Sequence, residues 1–158
     1  MDFFLIILIG SLFGSFANVC IYRLPLEKSV VGGRSYCPKC KKKIVWYDNI
    51  PIISYLLISG KCRKCKKSIS TQYPIVEFLH IISFIIIYFL FGVTTTSLLL
   101  MILALIFIII FFIDLKHYII PNILTFPLMA LGFIKSFDPN LNSLFPNYIN
   151  SLAGGIFG

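Results

Sequence analysis

The chain has 158 residues, a formal net charge of +8, 58% hydrophobic residues and 16% aromatic residues. Its mean hydropathy of +0.93 lies far outside the range of soluble domains and excludes a water-soluble globular protein. The length allows three or four membrane spans and one small extramembrane module, but no large soluble core. We therefore expect an all-α polytopic membrane protein.

Four apolar segments are the predicted membrane elements, at residues 3–19, 75–91, 97–113 and 123–134. The first has no basic region before it and contains Gly10 and Gly14, which favours a packed membrane helix over a cleaved signal peptide. The third ends at Asp114, and a carboxylate at a membrane boundary is either a functional group or a simple helix end. The fourth is short and contains Pro127, so it is either a kinked span or a re-entrant segment.

Positive charge is concentrated between the first two apolar segments, since 12 of the 14 Lys and Arg residues lie between Arg23 and Lys67. The positive-inside rule places this loop in the cytoplasm, and counting crossings returns Asp114 to the same side. Basic residues beside spans are typical of topology signals or of contacts with anionic membrane lipid, so we expect no nucleic-acid partner. The predicted units are a first transmembrane helix (1–22), a cytoplasmic loop (23–74) and the remaining transmembrane helices (75–158).

Two Cys-x-x-Cys motifs separated by 21 residues stand in this loop, and they comprise Cys37, Cys40, Cys62 and Cys65. The spacing is typical of a small zinc-binding loop in which each turn supplies two thiolates to a structural metal ion. Disulfides or a redox pair are alternatives, but a reducing cytosol disfavours the former and a redox role normally uses one motif beside a helix. Basic neighbours could neutralise the thiolates, namely Lys39, Lys41, Lys42, Arg63, Lys64 and Lys66. Cys20 lies outside the pattern and is predicted to be a buried apolar residue.

Three ordered stretches resemble the bacterial prepilin peptidases, the type IV leader peptidases that are membrane aspartic proteases. Residues 10–25 are similar to the family signature Gly-Ser-Phe-x-Asn-Val-x-Ile-x-Arg-x-Pro. The four-cysteine loop, with residues 46–55 and 69–77, is the second stretch, and residues 114–122 resemble the segment Asp-x-x-x-x-x-Ile-Pro-Asn around the first catalytic aspartate.

The resemblance implies a bifunctional enzyme of the bacterial inner membrane. Such an enzyme removes the basic leader of type IV pilin or pseudopilin precursors at the cytoplasmic face. It then N-methylates the new amino terminus with S-adenosylmethionine as the methyl donor. On this basis the expected partners are prepilin precursors and membrane lipid.

An aspartic protease needs two carboxylates that share a proton, and the resemblance makes Asp114 one of them. The family's second aspartate belongs to a Gly-x-Gly-Asp motif, which does not occur in these residues. Asp138 is predicted to lie across the membrane, and Asp48 is predicted to be a turn residue. We therefore expect an N-terminal portion of the enzyme, while a split enzyme completed by a second chain and a degenerate copy remain open.

Glu77 is the candidate cofactor-binding residue, since it could contact the methyl donor or the new amino terminus. Its alternative is a first-turn acidic residue favoured by the helix dipole. Asn18 could bond another helix or the substrate, and His80 is expected to bond a neighbouring helix. His117 is expected in an interfacial loop beside Asp114. A different function class, a membrane-tethered zinc-binding scaffold without peptidase activity, also explains the cysteines and the spans.

Overall fold

The computed structural model describes residues 2–32 and 35–135. Its helices are α1 (Asp2–Arg23), α2 (Ile53–Leu57), α3 (Gln72–Phe91), α4 (Thr95–His117) and α5 (Asn122–Lys135). Two short 3-10 turns lie at Leu24–Leu26 and Trp46–Asn49, and the described residues contain isolated β-bridges but no strand. Helices α1, α3 and α4 are long and apolar enough to cross a membrane, which confirms the predicted all-α polytopic class.

Helices α1 and α3 pack antiparallel at very close range. A Cβ added at Gly14 would lie 2.6 Å from the Cα of Glu77, and one at Gly10 would lie 3.1 Å from the Cα of Ile81. One turn forward along α1, from Gly10 to Gly14, therefore corresponds to one turn backward along α3, from Ile81 to Glu77. Small residues permit this approach because the two backbones can meet without intervening side chains, as the sequence predicted.

The core lies where α4 joins this pair, towards the end of the bundle that carries the loop. Its buried members come from three helices and are Ala17, Cys20, Ile21, Val76, Ile109 and Ile113. Cys20 is 5% exposed, which confirms its predicted apolar role. The opposite faces of the long helices expose large apolar side chains, as a membrane-embedded surface requires.

Helix α4 begins with a capping box, in which the Thr94 hydroxyl accepts the Ser97 N–H at 3.2 Å and the Ser97 hydroxyl accepts the Thr94 N–H at 3.1 Å. The helix ends at His117, because Tyr118 takes a left-handed conformation with φ of 54°. His117 is thus helical, which corrects its expected place in a loop.

Helix α5 is the short fourth apolar segment, with Pro127 inside it. It runs for 14 residues, fewer than the roughly 20 that a span needs, and whether it is a kinked span or a re-entrant segment stays open. Asp138 lies outside the described residues.

Candidate active site and metal centre

The two cysteine motifs fold into matching turns. In the first, the Cys37 N–H donates to the carbonyl of Lys42 at 3.0 Å and the Lys41 N–H donates to the carbonyl of Cys37 at 2.8 Å. The second turn repeats this pattern, since the Cys62 N–H donates to the carbonyl of Lys67, five residues further on, at 2.9 Å. Each turn closes through a left-handed lysine, with φ of 56° at Lys41 and 58° at its counterpart, Lys66. The backbone thereby presents two thiols from each turn on one side.

The four thiols converge on one point. The Sγ atoms of Cys37, Cys40, Cys62 and Cys65 all lie within 4.8 Å of one another, and the cluster could hold a metal ion. The Cys37 and Cys65 sulfurs are 3.9 Å apart, close to the roughly 3.8 Å that tetrahedral zinc with Zn–S bonds of about 2.3 Å requires. Backbone N–H groups of Cys65 and Lys64 lower the pKa of the Cys62 thiol to about 7, which favours the thiolate that metals bind. These residues therefore fit a closed, structural metal site.

Asp48 has a partner that the sequence did not indicate. The Arg63 guanidinium donates from Nη2 to Oδ1 at 2.8 Å and from Nε to Oδ2 at 3.0 Å, and it lies 5.5 Å from the centre of the Tyr47 ring. Asp48 does lie in a 3-10 turn, as expected. Arg63, predicted to neutralise the thiolates, instead ties this turn to the second cysteine motif.

Asp114 lies in the last turn of α4, where its side chain is exposed. Two residues further on, Lys116 lines a cavity together with residues of the cysteine loop. The end of α4 that carries Asp114 and the metal-binding cluster are therefore at the same end of the helix bundle. The charge pattern predicted this shared side, and Asp114 has the accessibility that a reacting carboxylate needs.

The cavity has a volume of about 390 Å³ and lies between the cysteine loop and the ends of α1 and α3. A second cavity of about 310 Å³ adjoins it and shares Asn18, Tyr22, Tyr73 and Lys116 with it. Basic side chains of the loop contribute to the wall of the larger cavity, among them Lys39, Lys42, Lys43, Lys64 and Lys67.

Glu77 lies in the wall of the larger cavity and is 7% exposed. Its Oε2 accepts the N–H of Ile52 at 2.7 Å. Ile52 has φ of 58° and ψ of −54°, and the Ile53 N–H donates to the Pro51 carbonyl at 2.5 Å, so Ile52 is the centre of a strained classic γ-turn. Glu77 thus joins α3 to the loop, and we call this hydrogen bond between Glu77 and Ile52 the latch. The first-turn alternative is wrong, because α3 begins at Gln72 and has no acidic residue in its first turn.

Asn18 forms a hydrogen bond to the neighbouring helix α3, which was one of the two roles predicted for it. Its Nδ2 donates to the carbonyl of Tyr73 at 3.0 Å and to that of Gly14 at 3.3 Å. His80 differs from expectation, because its Nδ1 pairs with the carbonyl of Val76 in its own helix at 2.7 Å. The Val76 carbonyl lies one turn before His80 in α3, which places it within reach of the ring. The His80 ring is wholly buried and α1 packs closely against α3, so the ring has no room to turn away from its own helix.

Residues 8–91 match the family model of the bacterial peptidase A24 N-terminal domain, and residues 101–158 match that of the type IV leader peptidase family. The chain belongs to the type IV leader peptidase family. The first match contains most of α1, the cysteine loop and α3, and the second contains Asp114 and α5. The resemblance read from three short motifs is therefore confirmed over most of the sequence.

Curated relatives carry the name prepilin leader peptidase/N-methyltransferase. The Vibrio cholerae protein is 42% identical over 135 residues, which cover 80% of this chain and 53% of that protein. The Myxococcus xanthus protein is 40% identical over 95% of this chain and 44% of its own length. The Pseudomonas aeruginosa protein is 32% identical over 96% of this chain and 59% of its own length. The chain thus spans about half the length of these relatives, and no solved structure matches it.

Proposed function

We propose that this chain acts in a membrane aspartic endopeptidase that removes the basic leader from type IV pilin or pseudopilin precursors and N-methylates the new amino terminus. The observation that carries the proposal is Asp114, an exposed carboxylate at the end of a 23-residue apolar helix. It lies within the part of the chain matched by the type IV leader peptidase family model. The relatives named prepilin leader peptidase/N-methyltransferase support the proposal of both activities.

Asp114 supplies one carboxylate of the catalytic pair in this proposal. Two close carboxylates share one proton, so that one activates water as a base and the other protonates the departing amine. Two other acidic side chains of the described region already have partners, since Asp48 forms an ion pair with Arg63 and Glu77 accepts the Ile52 N–H. We propose that the second carboxylate comes from outside residues 35–135, either from a further portion of the same enzyme or from a second chain.

The metal-binding cluster has a structural role in the proposal, with zinc as the metal. Four thiolates close all four positions of a tetrahedral ion, so the site organises the loop and takes no part in peptide hydrolysis. The ordered loop then covers the cavity and brings Ile52 to Glu77.

The larger cavity fits the methyl donor. Its volume falls within the range of small-molecule sites, and it offers a carboxylate, tyrosine rings and basic side chains to an adenosyl amino acid. Bound S-adenosylmethionine would supply the methyl group, with Glu77 as the proposed contact to the donor or to the new amino terminus. We place this cavity and Asp114 at the cytoplasmic face of the inner membrane, because the basic loop beside them follows the positive-inside rule.

The experiment is cleavage of a purified type IV prepilin by the enzyme isolated from its native membranes, comparing Asp114→Asn with the parent. We expect the rate of cleavage to fall by at least about a hundredfold, since a group that transfers protons in the reaction is removed. Glu27→Gln is the matched control, because it also converts an exposed carboxylate to an amide and should leave cleavage unchanged. Zinc content should stay the same in both variants.

Retained cleavage in Asp114→Asn would refute the peptidase assignment. It would favour the zinc-binding scaffold, for which Asp114 is only an interfacial residue. In that case loss of a cysteine ligand should abolish assembly with partners while Asp114→Asn has no effect.

A further inference from the structure

Glu77 is a buried carboxylate with an unused oxygen. Its Oε2 accepts the N–H of Ile52, whereas Oε1 has no hydrogen-bond partner among the described residues. The ion pair of the described region joins Asp48 to Arg63, so no basic side chain there pairs with Glu77. Burying a carboxylate is costly unless a positive or hydrogen-bonding group compensates it. The Oε1 atom of Glu77 is therefore free to accept a hydrogen bond, and the described part of the chain provides no donor for it.

Two neighbouring acceptors are fully buried and have no partner among the described residues. The Oδ1 of Asn18 is buried without a partner, in a side chain that is 4% exposed. Its orientation is fixed, because Nδ2 already donates to the carbonyls of Tyr73 and Gly14. The Oε1 of Gln72 is also buried and unpaired. All three acceptors lie where α1 and α3 cross beneath the loop.

These acceptors lie beside space for a ligand. Asn18 and Glu77 both line the cavity of about 390 Å³, and Asn18 and Gln72 both line the adjoining cavity of about 310 Å³. Gly14 meets Glu77 and Asn18 bonds to Tyr73, so Asn18 and Glu77 lie one turn apart on the two facing helices. Lys116 contributes to both cavities without pairing with Glu77.

We propose that Glu77 and Asn18 form a binding site for a primary α-ammonium group of a ligand in this cavity. Such a group carries a positive charge and three donors, which match the unpaired Oε1 and Oδ1 acceptors. The inference rests on the proposed function, whose reaction involves two such groups. One is the amino-acid end of the methyl donor, and the other is the new amino terminus of the pilin.

Glu77→Gln separates this role from that of the latch. The amide keeps an oxygen that can accept the Ile52 N–H, so the γ-turn stays held, but the negative charge is lost. Glu77→Leu removes the charge and the latch together. A latch alone therefore predicts normal ligand preference in Glu77→Gln, whereas an ammonium site predicts its loss.

The experiment measures binding of two matched pairs of probes to the purified enzyme by calorimetry. One pair is S-adenosylhomocysteine and its analogue with hydrogen in place of the α-amino group. The other is a peptide that begins with phenylalanine, with a free or an acetylated amino terminus. We expect the amine-bearing probe of one pair to bind about 10- to 100-fold more tightly, and that pair identifies the source of the ammonium group.

In Glu77→Gln this preference should fall to within about threefold, while the thermal unfolding temperature stays near that of the parent. Asn18→Ala provides a second variant if Glu77→Gln fails to fold, because it removes the unpaired Oδ1 acceptor and should lower the preference by at least about threefold. The inference is overturned if neither pair discriminates in the parent, or if the preference survives Glu77→Gln. An unchanged preference in Asn18→Ala would also overturn it.

These outcomes are independent of prepilin cleavage. An enzyme that cleaves prepilin but shows no preference for amines retains the proposed function and loses this inference. An enzyme that prefers amines but cleaves no prepilin retains the site and loses the peptidase assignment.

Discussion

Replacement of Gly14 by alanine tests the close contact that positions Glu77. The added Cβ would lie 2.6 Å from the Cα of Glu77, whereas ordinary van der Waals contact begins at 3.4 Å. The facing backbone must therefore move by about 0.8 Å, because the obstructing atom belongs to the main chain and cannot rotate away. Overpacking of this kind costs about 1–3 kcal/mol.

Gly132→Ala is the matched control for this substitution. Gly132 lies in α5, and a Cβ there would meet nothing within 4 Å. Both substitutions gain about 0.5–1 kcal/mol from the better helix propensity of alanine, so the difference between them isolates the steric cost. We expect Gly14→Ala to be less stable than Gly132→Ala by about 1–3 kcal/mol.

The assay is the free energy of unfolding of each variant in lipid bicelles, from titration with denaturing detergent followed by circular dichroism. S-adenosylhomocysteine binding should weaken in Gly14→Ala as well, since separation of α1 from α3 displaces Asn18 and Glu77. Equal stability of the two glycine variants would refute the packing on which the cavity depends.

Three further perturbations have defined outcomes. Cys37→Ser should release the metal, measured by elemental analysis, and increase proteolysis of the loop, measured by limited trypsin digestion. The control variant Cys20→Ser should keep its metal, because Cys20 is outside the cluster. Thr94→Ala should lower the free energy of unfolding by about 1 kcal/mol through loss of the α4 cap, and Thr95→Ala should not, so equal effects would contradict the capping role. Asp48→Asn should lower the free energy of unfolding, because it weakens the bidentate bond to Arg63 at a carboxylate that is only 8% exposed. The loss should become smaller at high salt, since the guanidinium is 50% exposed, and a loss that is independent of salt would contradict an ion pair.

The membrane helices and the metal-binding cluster were predictable because their signals are local. Runs of apolar residues long enough to cross a bilayer identify α1, α3 and α4 without any tertiary information. The cysteine spacing likewise fixes two short turns, and their convergence follows from the preference of the metal for four thiolates. The start of α3 was less clear, since Pro74 precedes the apolar run, yet proline is tolerated in a first turn where its missing N–H has no helical partner.

The contacts of Glu77, Asp48 and Asn18 could not be predicted, because each joins elements that are distant in the sequence or separated by irregular loop. Glu77 meets Ile52 across 25 residues, and Asn18 meets Tyr73 across 55. Periodicity gives no register between such segments. The glycines of α1 were the available signal, since they indicated a close approach, but they did not specify which residues of α3 would face them.

We propose that Asp114 belongs to the catalytic pair of a prepilin-processing enzyme. Its most direct test is the intact mass of a type IV pilin produced in native cells whose enzyme is either the parent or Asp114→Asn. We expect leaderless, singly N-methylated pilin with the parent and unprocessed precursor with the variant, while zinc remains bound in both. Processed pilin in the Asp114→Asn cells would contradict it.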